Sequence, residues 1–345
     1  MLKGAIVGAA GASLSTPAIA QSTITLTAVS IWPTADAGPG ALAGRFADRM
    51  ATLTDGRIRI EMAEWNGDAL SLYRATGDGQ VDICFAAEDL WAPLNPSYGL
   101  FASPPGGLTA GEFEGWIAWG GGGDAWNALA EQSGVAPFLI GDRGLSPALT
   151  SRAFDAEDLP TVTVAASGLA AQVWEKAGAG RVVGEDQAAS AAICNAADCI
   201  DVYSRTPGVY GARYDVAVNH VNNALSMNVN RSALSRLSDS DRKLMKIAAN
   251  AEHIQQRGDA MMRSLRASAA DGALGALPAV ATPPGLATAL LFASSAVLEE
   301  VGAHDRYASD AVWSLQLHAE DAAAWSAIGE GAFLEARARN GGGAK

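Results

Sequence analysis

The pattern of apolar and polar positions near the start of the chain predicts strands that alternate with helices. Apolar and polar side chains take turns over residues 23–31, as they do in a half-buried strand. Leu42, Phe46 and Met50 then recur at helical spacing. The predicted elements are a strand over 23–31, a helix over 41–53, a strand over 57–62, a helix over 69–76 and a strand over 81–85. This succession is typical of an α/β lobe in which helices cover a largely parallel sheet.

A second lobe of the same kind is predicted to start near Arg143. Strand patterns over 161–165 and 200–203 flank a helical pattern over 169–177, and Gly178 ends that helix. Two α/β lobes leave a cleft between them, and such a cleft is a common place for a small ligand.

The last third of the chain is predicted to hold long helices that tie the lobes together. The predicted elements are a strand over 217–229, a helix over 242–267 capped by residues 238–241, a loop with a short strand over 272–285, and helices over 286–301 and 308–338. Two arrangements of the final helix stay open. Its exposed ends can pack across a homodimer, or the helix can fold back onto its own lobe.

The first twenty residues predict a cleavable export signal. Lys3 precedes a run of small apolar residues over 5–12, and residues 17–20 resemble a cleavage site ahead of Gln21. The apolar run is too short for a membrane span, which needs roughly 20 residues. The single lysine directly after Met1 resembles the tail of a twin-arginine signal. We therefore expect a soluble, exported chain that begins near Gln21.

The length and the net charge of the chain further restrict the classes of protein to which it can belong. About 320 residues remain without the signal, which exceeds the roughly 100 to 200 residues of a typical domain and predicts two lobes. The chain has 37 acidic and 24 basic residues and a net charge of −13. This charge repels nucleic acid phosphates and anionic lipid surfaces, so we expect no nucleic acid partner.

Three cysteines leave two arrangements open. In an oxidising compartment Cys194 and Cys199 can close a small disulfide loop, or both can remain reduced thiols. Cys84 lies in a strand pattern. The pair lacks the additional cysteines or histidines that a zinc site requires.

The sequence shows no catalytic constellation. It contains no GxSxG elbow, HExxH helix, P-loop lysine motif or dinucleotide-binding glycine pattern. The four histidines are scattered singly. The glycines of residues 120–123 are not followed by the lysine of a phosphate-binding loop, so we interpret them as a helix break or cap. We therefore expect a binding protein and no enzyme.

Tryptophans in polar surroundings are the first candidates for a ligand pocket. Trp32 stands beside Pro33, and Trp91 follows Glu88 and Asp89. Aromatic side chains at strand ends can line a cleft, while burial in the core is the alternative for each single tryptophan.

Many short segments between residues 23 and 337 follow a distinctive order and spacing. They include Trp32 and Pro33, residues 55–60, 79–82 and 104–108, Glu112, Trp116, residues 120–123, 157–159, 168–170, 184–185, Ile200, Asp201, residues 227–230, Trp325 and residues 335–337. Together they resemble the extracytoplasmic solute receptor of tripartite ATP-independent periplasmic (TRAP) transporters, especially the branch that binds 2-oxo acids and other small carboxylates. The resemblance implies an α/β, two-lobed periplasmic binding protein fold with long inter-lobe helices and a C-terminal helix. It also implies a small-molecule solute in the cleft and delivery to a TRAP-type membrane permease.

The lobe pattern and the resemblance together divide the chain into discontinuous parts. The expected parts are an export signal over 1–20, lobe I over 21–142 and 218–260, lobe II over 143–217 and 261–305, and a C-terminal helix over 306–340.

The chain departs from the family at the positions that the resemblance assigns to ligand binding. Ala165 stands where the family usually has an arginine that pairs with the ligand carboxylate, and Leu145 stands where a glutamine is common. Ser204 and Arg205 replace a Glu-Trp pair that helps to hold a metal ion. Arg205 is the nearest cation that can take over the carboxylate, with Arg152 as a second. A surface role is the alternative for Arg205.

The acidic pair Glu88 and Asp89 adds negative charge near the expected cleft. If both side chains face the cleft, their charge favours a cationic or polyhydroxylated ligand or a bound metal ion over a bare anion. No cofactor is expected, and no metal site is predicted by residue spacing. The cleft candidates are Trp32, Glu88, Asp89, Trp91, Tyr203 and Arg205.

We therefore expect a periplasmic receptor that closes around a small organic solute, with a carboxylate or 2-oxo acid as the class that the resemblance implies. Two alternatives stay open. One is a diverged receptor with a sensory or scaffold role, which a missing permease gene nearby would favour. The other is a secreted enzyme on a similar scaffold, which turnover of a substrate would favour.

Overall fold

The computed structural model describes residues 23–33, 38–144, 148–184, 198–202, 210–214, 224–269 and 274–341. Several predicted features lie outside the described residues. They are the export signal over 1–20, Leu145, Cys194, Tyr203, Ser204 and Arg205.

The first sheet has five strands in the order β2-β1-β3-β10-β4. Its strands are β1 (Ile24–Ser30), β2 (Ile58–Met62), β3 (Ile83–Ala86), β4 (Val135–Asp142) and β10 (Ala224–Asn230). Strand β1 pairs in parallel with β2 and β3, as the alternating pattern predicts, whereas β10 is antiparallel to both β3 and β4. Strands β1, β3 and β4 therefore run in one direction and end at the same edge of the sheet.

Helices cover both faces of this sheet. Helix α1 (Pro39–Leu53) and the long helix α7 (Asp239–Ser268) lie on one face, where Phe46 and Met245 join the core. The two helices are also linked by charge, because the buried Glu252 accepts a 2.8 Å hydrogen bond from Nε of Arg45. The opposite face is covered by α2 (Ala69–Gly77) and α4 (Gly122–Glu131), and α3 (Ala110–Ala118) packs against α4.

The second sheet has six short strands in the order β11-β9-β5-β8-β6-β7. Its strands are β5 (Leu149–Thr150), β6 (Thr163–Ala165), β7 (Arg181–Val183), β8 (Cys199–Asp201), β9 (Ala212–Tyr214) and β11 (Ala279–Val280). Strand β6 is parallel to β7 and β8, and helix α5 (Gly168–Ala177) follows β6 directly. This arrangement confirms the predicted second α/β lobe.

The remaining helices lie in the last third of the chain. They are α6 (Arg231–Ser235), α8 (Pro284–Gly302), α9 (Arg306–Ser326) and α10 (Glu330–Gly341). Helix α8 is long and apolar enough to cross a membrane, yet its Leu286 and Val297 are buried in the protein core beside α5. The long helix predicted over 242–267 is confirmed as α7, and Ser238 caps it by accepting a hydrogen bond from the Asp241 amide.

The C-terminal segment differs from the sequence prediction. A single helix was expected over 308–338, but the structure divides it into α9 and α10, with a turn at Gly329. A Cβ atom on Gly329 would lie 2.7 Å from Cε2 of Trp325 and 3.0 Å from its carbonyl oxygen, so the absence of a side chain at Gly329 favours this turn.

A continuous apolar cluster joins the two lobes. The 3-10 helix Pro96–Phe101 of the first lobe packs against α5, and a Cβ atom on Gly99 would lie 2.7 Å from Cγ of Leu169. Asn95 additionally donates a 2.7 Å hydrogen bond to Asp305, the cap of α9. The lobes are therefore in direct contact on this side.

The glycines of residues 120–123 separate α3 from α4 and allow close packing at this point. This confirms their interpretation as a helix break. Gly121 has a φ of 89° and precedes α4, while α3 ends at Ala118. A Cβ atom on Gly122 would lie 2.6 Å from the Trp116 ring. That ring stacks on Phe101 with their centroids 5.3 Å apart, so the glycines allow α4 to approach an aromatic stack.

Cys199 and Cys84 differ in oxidation state. Cys199 is disulfide-bonded, while its predicted partner Cys194 lies outside the described residues. Cys84 is a free thiol within β3, and burial raises its pKa to about 12.

Two glycine-to-alanine substitutions test whether Gly122 is needed for the packing of α4 against Trp116. Gly122→Ala is expected to destabilise the protein by about 1–3 kcal/mol, because the new methyl group overlaps the Trp116 ring. Gly258→Ala, in an exposed part of α7 with no atom within 4 Å, is expected to stabilise it by up to about 1 kcal/mol. Urea unfolding measures both changes, and equal effects of the two substitutions would contradict the packing role.

An ion pair at the start of α7 predicts that the stability of the protein depends on pH. Arg57 holds the carboxylate of Asp241 at 2.9 Å and lowers the pKa of Asp241. This contribution to stability is complete above the ordinary pKa of an aspartate and is lost as the pH falls through the lowered value. In the wild type this ion pair should make the free energy of unfolding decrease as the pH is lowered from about 7 to about 3. Asp241→Asn should therefore make that decrease smaller. Asp48→Asn, at an exposed position of α1, should leave the decline unchanged.

Candidate functional site

The carboxyl ends of the parallel strands in the two sheets meet between the lobes. On the first sheet, Trp32, Asp89 and Arg143 follow the ends of β1, β3 and β4. On the second sheet, β6 ends at Ala165 and leads into α5 at Gly168. In open α/β sheets ligands bind outside the carboxyl ends of the strands, so this meeting point is the candidate site.

Asp89 and Gly168 make the contact that defines the site. A Cβ atom on Gly168 would lie 3.3 Å from Cβ of Asp89 and 3.8 Å from its Oδ2. Gly168 has a φ of +56°, a left-handed conformation that costs little energy for glycine. A side chain at this position would therefore be strained and would press against Cβ of Asp89.

The carboxylate of Asp89 is in an unusual electrostatic position. The residue is partly exposed, but its Oδ1 atom is covered and has no hydrogen-bond partner among the described residues. Loss of hydration raises the pKa of Asp89, and this effect is opposed by the charge of Arg143 and by the amides of Asp89 and Leu90. The site thus contains an acidic group that lacks a full set of donors.

Glu88 lies in the core, contrary to the expectation that it faces the cleft. Its Oε1 accepts hydrogen bonds from Nδ2 of Asn228 at 2.7 Å and Nε1 of Trp91 at 3.2 Å. Its Oε2 accepts one from Nε1 of Trp126 at 3.0 Å. Burial raises the pKa of Glu88, and these hydrogen bonds oppose that shift. Glu88 therefore fixes the turn that carries Asp89.

The two tryptophans of the prediction have different environments. Trp91 is fully buried and stacks on Tyr73 with the ring centroids 4.5 Å apart, so it belongs to the core and not to a cleft wall. Trp32 is half-buried at the end of β1, where its backbone amide donates to Oγ of Ser30. Tyr203 directly follows the described residues of the β8 segment, and both Tyr203 and Arg205 lie outside the described part of the chain.

Arg152 does not reach the site as a carboxylate clamp. Its guanidinium pairs with Asp198 at 3.0 Å and lies 4.2 Å from the ring centroid of Phe154. Half of its side chain is exposed. The expectation of Arg152 as a second ligand cation is therefore wrong, because its charge is already used on the surface of the second lobe.

Sequence reasoning did not assign a binding role to Arg143 or Gly168. Arg143 directly follows an apolar strand at the predicted lobe boundary, and this position could have suggested a cleft residue. Asp201 was also not selected. It is buried at the end of β8, where it accepts a hydrogen bond from the hydroxyl of Tyr210.

The described residues contain no cluster of three His, Cys, Asp or Glu side chains that could hold a metal ion. The chemistry that this part of the site offers is hydrogen bonding and charge pairing at the N-terminal end of α5.

No protein-family model matches the chain. Among solved structures, a TRAP periplasmic solute binding protein from Colwellia psychrerythraea with bound calcium and pyruvate has a TM-score of 0.81 and 20% sequence identity, covering 91% of this chain and 99% of that one. A TRAP protein from Pseudoalteromonas atlantica with sodium and pyruvate has a TM-score of 0.79 and 20% identity at the same coverage.

A third structure shows a TRAP transporter solute binding protein from Bordetella bronchiseptica as a dimer of mixed occupancy, with copurified calcium and picolinate. Its TM-score is 0.79 at 18% identity, covering 94% of this chain and all of that one. At such low identity these matches establish the fold. The chain has the two-lobed α/β fold of TRAP solute-binding proteins, which confirms the predicted fold class.

The buried role of Glu88 can be tested by removing one acceptor. Glu88→Gln is expected to lower the free energy of unfolding by about 1–3 kcal/mol, because the amide NH₂ would face one of the N–H groups that now donate to the carboxylate. Urea unfolding gives the value. Glu175→Gln, on the exposed side of α5, is the matched control and should unfold like the wild type. A stable Glu88→Gln variant would contradict the assignment.

Proposed function

We propose that this protein is an extracytoplasmic solute receptor of a TRAP-type transporter. It binds a small organic carboxylate between its lobes and delivers the ligand to a membrane permease. The observation that carries the proposal is the meeting of the two sheet edges at Asp89 and Gly168, because a ligand held there touches both lobes at once.

The similar structures support this class of ligand. Two of them hold pyruvate and one holds picolinate, and each of these molecules carries a carboxylate. In this chain the N-terminal turn of α5 lies at the site, and backbone amides at a helix N-terminus stabilise an anion. The net charge of −13 argues against a nucleic acid partner.

Ligand binding between the lobes explains how the proposed receptor changes from an open to a closed arrangement. A ligand that contacts both edges stabilises the closed arrangement over the open one by the difference in its contacts. On the described part of the chain, Trp32, Asp89 and Arg143 stand on one side and α5 on the other. Tyr203 and Arg205 complete the proposed set on the second lobe.

The proposed lobe boundaries follow from how the chain returns to each sheet. Lobe I comprises residues 21–142 and 218–260, in agreement with the position of β10 in the first sheet. Lobe II comprises residues 143–217 and 261–305, in agreement with β11 in the second sheet. The function requires export to the periplasm, and we propose the twin-arginine route on the basis of the first twenty residues.

A thermal-shift screen of the chain from Gln21 tests the receptor function. A carboxylate at 100 times its dissociation constant should add about 2.7 kcal/mol to the free energy of unfolding. Small-angle X-ray scattering of the same sample should show a smaller radius of gyration with the ligand than without it. If no carboxylate, polyol, amine or divalent ion stabilises the protein, the receptor function is contradicted.

We further propose that the protein forms a homodimer through its C-terminal helices. Helix α10 contains no fully buried residue among its described side chains, and its Phe333 is 63% exposed. Trp325 and Ile328 are exposed just before it. Exposed large apolar side chains of this kind are typical of an interface, and the similar protein from Bordetella bronchiseptica is a dimer.

Substitutions of two phenylalanines test the proposed dimer interface. Phe333→Glu places a charge on the proposed interface and should convert a dimer into a monomer in sedimentation velocity experiments. Phe292→Glu makes the same change on α8, at a side chain that is 72% exposed, and should leave the dimer intact. A monomeric wild type, or equal behaviour of the two variants, would exclude this interface.

A further inference from the structure

Two contacts join the lobes at the first turn of α5, and a glycine lies at each of them. Gly168 of the second lobe lies against Cβ of Asp89, and Gly99 of the first lobe lies against Leu169, the second residue of α5. A Cβ atom on Gly99 would lie 2.7 Å from Cγ and 2.9 Å from Cδ1 of Leu169. Leu169 is only 2% exposed, so its side chain is enclosed by the protein. Leu169 thus occupies the space that a side chain at residue 99 would need.

Gly99 is held within the first lobe. It belongs to the 3-10 helix Pro96–Phe101, in which residues 97–101 are all buried. The hydroxyl of Tyr98 in this helix accepts a 2.8 Å hydrogen bond from the hydroxyl of Tyr73 in α2. Gly99 does not have a positive φ, so an alanine at this position meets no backbone strain and differs from glycine by its methyl group.

Helix α5, which carries Leu169, is held within the second lobe. Its Val173 lies in the same apolar core as Val297 of α8, the helix against which α5 packs. Nζ of Lys176 at the end of α5 also lies 2.6 Å from Oε1 of Glu300 on α8. Since each side of the contact is fixed within its own lobe, a movement of one lobe relative to the other changes this contact.

We infer that Leu169 is a positioning residue, whose contact with Gly99 holds the two lobes together and sets the balance between the open and closed arrangements. Leu169 lies in the helical turn whose amides are proposed to stabilise the ligand carboxylate, so its contact and the ligand favour the same arrangement. The expected effect on affinity rests on the proposed receptor function. The expected effect on the shape of the ligand-free protein does not depend on that function.

Two opposite changes in volume are expected to have the same effect. Leu169→Ala removes the side chain that makes the contact, whereas Gly99→Ala adds a methyl group that overlaps Leu169. Both substitutions should favour the open arrangement. In the double variant Gly99→Ala/Leu169→Ala, the smaller side chain at residue 169 leaves room for the new methyl group. The double variant should therefore return part of the way to the closed arrangement.

Small-angle X-ray scattering and hydrogen exchange measure this balance without any ligand. Each single substitution should increase the radius of gyration of the ligand-free protein, and the double variant should lie between Gly99→Ala and the wild type. The amides of Leu169 and Ala170 have no acceptor within α5, because they lie in its first turn, and both residues are buried. These amides should exchange at least about threefold faster in each single variant than in the wild type.

Isothermal titration calorimetry with pyruvate and with picolinate tests the link to the ligand, because similar structures hold these two molecules. The Kd should rise at least about threefold in each single variant, since less of the protein is in the arrangement that binds.

Two control variants make the same kinds of change away from this contact. Leu159→Ala removes a fully buried leucine that precedes β6 in the second lobe, and Gly258→Ala adds a methyl group where no atom lies within 4 Å. Both controls should keep the radius of gyration, the exchange rate and the affinity of the wild type. Circular dichroism shows whether each variant is folded, and Leu169→Val replaces Leu169→Ala if the latter is not.

An unchanged radius of gyration in both single variants would overturn the inference, as would a double variant that is more open than Gly99→Ala. These outcomes involve no ligand, so they leave the receptor function standing. If neither pyruvate nor picolinate binds the wild type, the scattering and exchange measurements still decide the inference, while the thermal-shift screen decides the receptor function.

Discussion

A single buried carboxylate organises the edge of the first lobe that faces the second lobe. Glu88 receives hydrogen bonds from Trp91, Trp126 and Asn228, which belong to a 3-10 helix, to α4 and to β10. A buried charge is costly unless such donors surround it, so these elements must meet in one arrangement. The next residue is Asp89, and its position between the lobes is a direct consequence of this network.

The two acidic neighbours show how environment separates the roles of similar side chains. Glu88 points into the core and accepts three hydrogen bonds, while Asp89 lies against Gly168 of the other lobe and its Oδ1 has no hydrogen-bond partner among the described residues. Loss of hydration raises the pKa of both groups. Asp89 lies at the boundary between the lobes, against Gly168, whereas Glu88 is enclosed within the first lobe.

Periodicity predicted the local elements well, including β1, α1, α5 and the cap of α7 at Ser238, because these depend on neighbours in the chain. It did not reveal that β10 is inserted antiparallel between β3 and β4, since strand partners are a long-range property. Glu88 and Trp91 were assigned to the cleft for the same reason. The donor Asn228 is 140 residues away from Glu88, and no local pattern indicates such a contact.

The insertion of β10 also constrains how the chain acquires its structure. Residues 224–230 occupy an inner position of the first sheet, so the earlier strands of that sheet cannot complete their pairing until most of the chain has been synthesised. Contacts between such distant segments slow folding, and they leave strand edges exposed for longer. The first lobe therefore cannot mature as an independent N-terminal unit, and its folding is coupled to that of the segment that passes through the second lobe.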